Sequence, residues 1–308
     1  MKYTERADNV YVIDTKMFGF EQYNSAYIVA GKEIALVDTG LPNQLEAVRA
    51  GIKAHGFSVS DISRIFITHE HSDHCGNVAP LLRESPRAKV YIHPVGAERL
   101  TDPSTANARL KALLLPQMLA RFGEMEPVPA SRIAYFNDGD VFDLGDGEKL
   151  RIIFAPGHQP GGVVILEEKN MGLFIDDLVG NYFTDADVSL ILNPYGSDVK
   201  LSMASLRKLR DMPVTRLFLG HFGISDRPKE VIQRALGGMQ QLLDIGAQCV
   251  AEGRPEDIEP RVTASKMPEA EKLRAIRGET LYQYTVEELI PHQSTAFAKY
   301  YLGLPLNK

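Results

Sequence analysis

The sequence predicts an α/β fold, with strands and helices alternating over residues 1–225 and a helical extension over 226–308. Three observations predict it. Short β-branched and aromatic runs are punctuated by Gly, Asn and charged residues through the first part. Beyond Asp226 the apolar residues recur at helical spacing. Several apolar runs also end in a residue able to bind a metal: Asp38 in "LVD", His69 in "IFITH", His158 in "FAPGH", Asp177 in "LFIDD" and His221 in "LFLGH". Strands of a common sheet that deliver such residues at the same edge converge on one site.

In chain order, "NVYVID", "SAYIV" and "EIALVD" are strands joined as hairpins. "LPNQLEAVRAGIKAHG" is a helix with Leu45, Val48 and Ile52 on one face, stopped by Gly56. "ISRIFITHEH" is a buried strand that ends where the histidines begin, "VAPLLRESP" a short helix and "AKVYIHP" a strand. Residues 100–130 break this rhythm with a helical insertion interrupted at Pro116. Most of its Leu113, Leu114, Leu115, Met118, Leu119, Phe122 and Met125 are expected to pack on the core, the rest to face a substrate. Strands resume with "RIAYF", "KLRIIFAPGH", "GVVILEE", "GLFIDD" and "TRLFLGH". Asp226 and Pro228 start a helix carrying Val231, Ala235, Met239 and Leu242 on one side, to a stop near Gly253. Leu281, Leu289, Phe297 and Tyr301 form later stripes, so the extension is expected to bury itself against the core.

Composition excludes several roles. A hydrophobic share of 44% and a charged share of 24% in 308 residues suit a globular protein with a large core. The longest apolar runs are too short to span a bilayer, and the first residues show no apolar leader. Two cysteines, Cys75 and Cys249, make no disulfide framework, so a cytoplasmic location is expected. A formal charge of −6 without a lysine or arginine cluster argues against a nucleic-acid partner. The expected partner is a small-molecule substrate.

The run His69-Glu70-His71-Ser72-Asp73-His74 concentrates metal-binding chemistry that neither a surface nor an apolar core needs. His69 and His71, two apart on an extended segment, point the same way and can grip one ion. Asp73 and His74, past the turn, can face a second. With His158, Asp177 and His221 the candidates number seven, enough for two first-row ions that share a bridging carboxylate and leave positions open. Glu70 and Ser72 alternate away from the ions, and Cys75 is expected to be a small buried residue.

These residues also carry a family resemblance. "THEHSDHCG" resembles the T-H-x-H-x-D-H-x-G signature of the metallo-β-lactamase superfamily, and "LVDTG", "PGHQPGG", "LFIDDL" and "LGHFG" follow in the superfamily's order. The resemblance implies an αββα sandwich with the site at one edge of the two sheets. It implies that His69, His71 and His158 hold a first metal, that Asp73, His74 and His221 hold a second, and that Asp177 bridges them. Asp38 would support a ligand histidine or its loop. The pattern is broken at Asp176, where glycine is usual, so either carboxylate could reach the metals and Asp177 is favoured because it aligns with the motif; it is broken also at Gly162, where many relatives carry a further histidine that is not a ligand. The stretch between His74 and His158 is also longer than in many relatives.

The expected chemistry is hydrolysis of a small ester, thioester or lactone by a metal-bound hydroxide, with Asp73 orienting the nucleophile and relaying its proton. A phosphodiesterase, a sulfur dioxygenase or a diiron oxidoreductase are the alternatives the same scaffold offers. Zinc is the expected ion, with iron and manganese compatible with the same donors. The helical extension either covers the cleft or forms a homodimer interface, and Tyr182 and His292 are candidate substrate contacts.

Overall fold

Two sheets face each other, with helices on both outer surfaces. A computed structural model describes residues 6–113, 116–191 and 196–305. Leu114 and Leu115 of the insertion lie outside the described residues, as do the side chains of Leu113 and Met118. The first sheet runs in chain order: Arg6–Ala7, Val10–Asp14, Ser25–Ala30, Ile34–Val37, Ile62–Phe66, Lys89–Ile92 and Ile133–Tyr135. Its early pairs are antiparallel, and from Ile34–Val37 onward its pairs are parallel. The second sheet orders Ile224–Ser225, Arg216–Phe218, Gly172–Phe174, Val163–Glu167, Glu148–Phe154 and Val141–Gly145 side by side.

These strands are apolar on both faces because both faces are covered. Val10, Val12, Tyr27, Val29, Val37 and Phe66 point inward to meet Leu150, Ile152, Val163, Ile165, Phe174 and Phe218 of the opposite sheet. Alternate residues point outward. Ile28, Leu36, Ile65 and Val90 pack under the helices Leu45–Ala54 and Val78–Glu84, which supply Val48, Ile52, Leu81 and Leu82. Val164, Leu173, Ile175 and Leu217 pack under Val199–Arg210 and the helices of the extension. From the extension, Val231, Met239, Leu242, Val262 and Phe297 join that second layer.

The helix Leu45–Ala54 is followed by Gly56 at φ +85°, the left-handed stop a glycine favours. The insertion forms helices Ser104–Leu113 and Pro116–Phe122, with Pro116 opening the second. Pro228 opens the helix Pro228–Ala251, but Arg227, not Asp226, stands at its N-cap, without a side-chain cap. Three elements go beyond the sequence expectation. The edge strand Val141–Gly145 is half-exposed and broken by Asp143 and Gly145. The hairpin Asn181–Phe183/Val188–Leu190 is two short strands. The helix Val199–Arg210 carries its own signal in the capping Asp198 and the buried Val199, Met203, Leu206 and Leu209. In the extension, Thr285–Leu289 widens into a π turn just before Pro291, whose missing N–H cannot serve the carbonyl four residues back.

Candidate metal centre

Topology explains why the strand-end residues meet. Ile34–Val37 and Ile62–Phe66 are parallel, so Asp38 and the His69–His74 segment leave the first sheet at one edge. Glu148–Phe154 and Gly172–Phe174 each pair antiparallel with Val163–Glu167, and Arg216–Phe218 is parallel to Gly172–Phe174. His158, Asp177 and His221 therefore leave the second sheet at one edge too. Backbone bonds clamp the two edges together: Val163 N–H donates to the Thr68 carbonyl at 2.9 Å, and Ser25 N–H to the Gly220 carbonyl at 2.9 Å.

All seven candidate ligands converge into two groups that share one carboxylate. His69, His71, His158 and Asp177 form the first, and Asp73, His74, Asp177 and His221 the second, with the ligand atoms of each within 4.8 Å of one another. In the first, His71 Nδ1 lies 2.9 Å from His69 Nε2 and 3.0 Å from His158 Nε2. Two nitrogens bound to one zinc at tetrahedral angles stand about 3.3 Å apart, so this spacing fits an ion. Asp177 Oδ2 stands 3.6 Å from His158 Nε2, 3.3 Å from His74 Nε2 and 3.1 Å from His221 Nε2, between the groups. Asp73 Oδ2 lies 3.6 Å from His74 Nε2 and 3.9 Å from His221 Nε2. His74 Nε2 is buried without a hydrogen-bond partner among the described residues. A divalent cation would satisfy it.

Electrostatics divides the histidines. Burial, reinforced by the neighbouring imidazoles, holds His69 and His71 well below the usual histidine value. Burial also brings His158 down to about 4, although Asp177 opposes the shift. These three are neutral and present lone pairs. Burial works against charge on His74 and His221 as well, but there Asp177 and Asp73 outweigh it and raise both. Burial opposes charge on Asp177 too, yet His221 and His74 hold it well below the usual carboxylate range.

The supports are as specific as the ligands. Asp38, at φ +57°, places Oδ2 2.9 Å from His74 Nδ1 and accepts the Thr68 N–H at 2.9 Å. His221 Nδ1 donates to the Tyr23 carbonyl at 3.3 Å. Tyr27 reaches across from the first sheet to donate to the Leu219 carbonyl at 2.6 Å, bracing the loop that carries His221. Gly220 is needed for close approach, because a Cβ there would lie 2.5 Å from Asp177 Oδ1. Glu70 is buried and turned toward Arg99, which opposes the rise that burial imposes on its carboxyl. Cys75 is buried, its thiol donating to the Glu70 carbonyl at 3.4 Å, and burial pushes it up to about 12.

A family model of the metallo-β-lactamase superfamily matches residues 18–221. The chain belongs to this superfamily. Among curated members, a probable metallo-hydrolase of Bacillus subtilis is 27% identical over 63% of this chain and 66% of its own length. An atrochrysone carboxyl ACP thioesterase of Aspergillus fumigatus is 25% identical over 71% of this chain and 57% of its own. The chain thus spans less than two thirds of these relatives. A solved metallo-β-lactamase superfamily protein of Sulfolobus tokodaii superposes with a TM-score of 0.63 at 21% identity, covering 77% of this chain and 87% of that one. Superfamily members are mostly metal-dependent hydrolases, and the His/Asp cluster here can hold their divalent ions. No helix among the described residues is long and apolar enough to cross a membrane.

Two further candidates fall elsewhere. Strand alternation turns Asn181 and Phe183 toward Tyr23 and sends Tyr182 to the opposite side. There the Tyr182 hydroxyl donates to Asp187 at 2.8 Å and accepts from Arg227 at 2.8 Å, so it is not brought to the ligands. His292 is exposed on the last helix, with Arg109 of the insertion as a charged neighbour, and belongs to neither group. Sequence reasoning missed Tyr23 and Tyr284, whose hydroxyls share a hydrogen bond with Asp73 as a nearby charge. Neither lies in a motif, and only packing reveals them.

Proposed function

We propose that the chain is a dinuclear metal-dependent hydrolase of a small ester, thioester or lactone. Zinc is the ion best matched to its five histidines and two aspartates, and iron and manganese are also compatible with them. The observation that carries this reading is the pair of four-residue groups sharing Asp177. Divalent ions held there would lower the pKa of a water and polarise the substrate's oxygen. The chain's own residues do the rest. His69, His71 and His158 hold one position, and His74 and His221 the other. Asp177 fixes their separation. Asp73, with 17% of its side chain exposed, is the ligand carboxylate most open to the cleft, and it orients the nucleophile and takes its proton.

Charge favours a carbonyl over a phosphodiester substrate. The formal charge of −6, with no lysine or arginine cluster in the sequence, offers little to attract a phosphodiester. Beside His221 stands a cluster of aromatic rings, apolar surface suited to an acyl group. Phe18 stands 4.9 Å from Phe122 and 5.4 Å from Tyr284 between ring centroids, and Tyr23 bridges Tyr284 at 5.9 Å to His221 at 5.8 Å. The likeness to a thioesterase supports thioesters within this range.

The test is metal analysis of protein made without added metal, followed by a panel of ester, thioester, lactone and phosphodiester substrates. Two ions per chain and turnover of an aryl or long-chain acyl ester or thioester are expected. A chain that cannot be loaded, or one that prefers phosphodiesters, overturns the proposal. Tyr284→Phe and Phe18→Ala should raise KM for aromatic acyl substrates while leaving metal content unchanged.

A further inference from the structure

Asp176 stands beside the bridging aspartate but is not in either ligand group. Its side chain is fully buried, with Oδ1 2.6 Å from His69 Nδ1 and accepting the Asp177 N–H at 2.7 Å. Its other oxygen, Oδ2, is buried without a hydrogen-bond partner among the described residues and lies 3.0 Å from where a Cβ on Gly162 would be. We infer that Asp176 is the positioning residue for the first ion, and that Gly162 is the gap that admits it. The two departures from the motif pattern are one structural exchange.

His69 can offer Nε2 to a metal only if Nδ1 carries the proton and that proton has an acceptor. Two groups compete for it. Thr68 Oγ1 is 3.2 Å away, but its own hydroxyl is committed to Asp38 at 2.9 Å, and it is neutral. Asp176 Oδ1 is closer, at 2.6 Å, and makes the shorter hydrogen bond. The same oxygen takes the Asp177 backbone N–H, so one atom fixes a terminal ligand and the start of the bridging one. This explains an otherwise costly backbone. Asp176 sits at φ +60°, where glycine is favoured and aspartate is among the few tolerated side chains. A side chain at position 162 would meet Oδ2 and push the carboxylate away from His69.

This inference rests on the two-ion reading of the site, and its test reads metal affinity instead of turnover. Cobalt(II) binding, followed by its absorption spectrum, is measured in two backgrounds. His221→Ala leaves only the first ligand group complete, and His71→Ala only the second. In the first background, Asp176→Asn and Asp176→Gly are expected to weaken cobalt binding by about 10- to 100-fold and to shift the spectrum. In the second background the same changes should weaken binding clearly less than in the first, because there Asp176 reaches only the shared Asp177, through its backbone N–H, and no histidine of that group. Glycine suits φ +60°, so Asp176→Gly folds even where the asparagine variant does not, and circular dichroism checks both. Gly162→Ala should reproduce a milder first-site loss. Unchanged first-site affinity in folded Asp176→Gly overturns the inference, and so does equal weakening of both sites, which would mark a merely structural role. A chain with neither ligand replaced that binds no cobalt overturns the two-ion reading together with this inference.

Discussion

Replacing Gly220 with alanine adds one methyl group at the tightest point of the site. The new Cβ would stand 2.5 Å from Asp177 Oδ1 and 3.1 Å from His74 Cε1. Ordinary contact begins near 3.4 Å, so the carboxylate must retreat by about 0.9 Å or the loop carrying His221 must move. Either adjustment strikes both ligand groups, because Asp177 belongs to each. Overpacking of this kind costs about 1–3 kcal/mol of stability, which a domain of this size survives. A displacement near 1 Å in a reacting centre costs about 100-fold in rate. The variant should therefore fold, lose part of its metal and hydrolyse about 100-fold more slowly. Metal content by mass spectrometry and kcat/KM on the best ester substrate measure this. The matched control is Gly237→Ala, within the helix Pro228–Ala251, where a Cβ meets nothing within 4 Å. It should leave activity unchanged and add about 0.5–1 kcal/mol of stability. If Gly220→Ala retains two ions and the original kcat/KM, the close-packed geometry assigned to Asp177 is wrong.

Asp73→Asn should keep much of the first ion while turnover falls by about two or more orders of magnitude, and a variant with intact turnover would remove Asp73 from its role. Phe297→Ala empties a fully buried position in the layer between the second sheet and the extension, and should cost about 3–5 kcal/mol in denaturant unfolding. A loss below about 1 kcal/mol would mean the extension is poorly anchored there. Burial and the adjacent Glu167 raise the Glu148 carboxyl to about 7, with Asn9 and Lys169 opposing. The folded chain thus keeps a proton that the unfolded chain releases above its ordinary value of 4.5, and this stabilisation is lost as pH rises through about 7. Glu148→Gln should flatten the decline in Tm between these values, and superimposable Tm–pH profiles would refute the assignment.

Four of the seven candidate ligands, His69, His158, Asp177 and His221, were legible because each closely follows an apolar strand, whereas His71, Asp73 and His74 were legible by their spacing after His69. His69 and His158 announce themselves by the runs before them, and the shared direction of the ligand-bearing strands within each sheet does the rest. Asp38 was legible as a support, although which ring it would hold was not, since that depends on the left-handed turn at its own position. The hairpin at 181–190 was not legible, because two three-residue strands leave no period to detect. Placing Tyr182 by its distance along the chain from Asp177 ignored the alternation that turns it to the other side. Asp176 shows a different limit. Its neighbour Asp177 made it look like a rival ligand, and only the position of His69 Nδ1 reveals the bond between them. The extension's stripes were legible as apolar, yet they divide between two destinations. Phe297 faces the second sheet, while Leu281 joins Met17, Tyr23 and Leu41 near the metal centre.

That aromatic cluster separates two kinds of inheritance. The groups that would grip ions all lie between His69 and His221, on strand ends and the short helix Ser72–Cys75. The rings beside them come from the loop at 17–23, from Phe122 of the insertion and from Tyr284 of the extension. These three segments are remote in sequence and carry no ligand. Lineages can therefore exchange or resize them independently, changing what enters the cleft while the reaction machinery stays fixed. For engineering, the consequence is a division of labour: libraries confined to Phe18, Phe20 and Phe122 would vary the rings beside the cleft while leaving in place the candidate ligands and Tyr23, whose carbonyl supports His221.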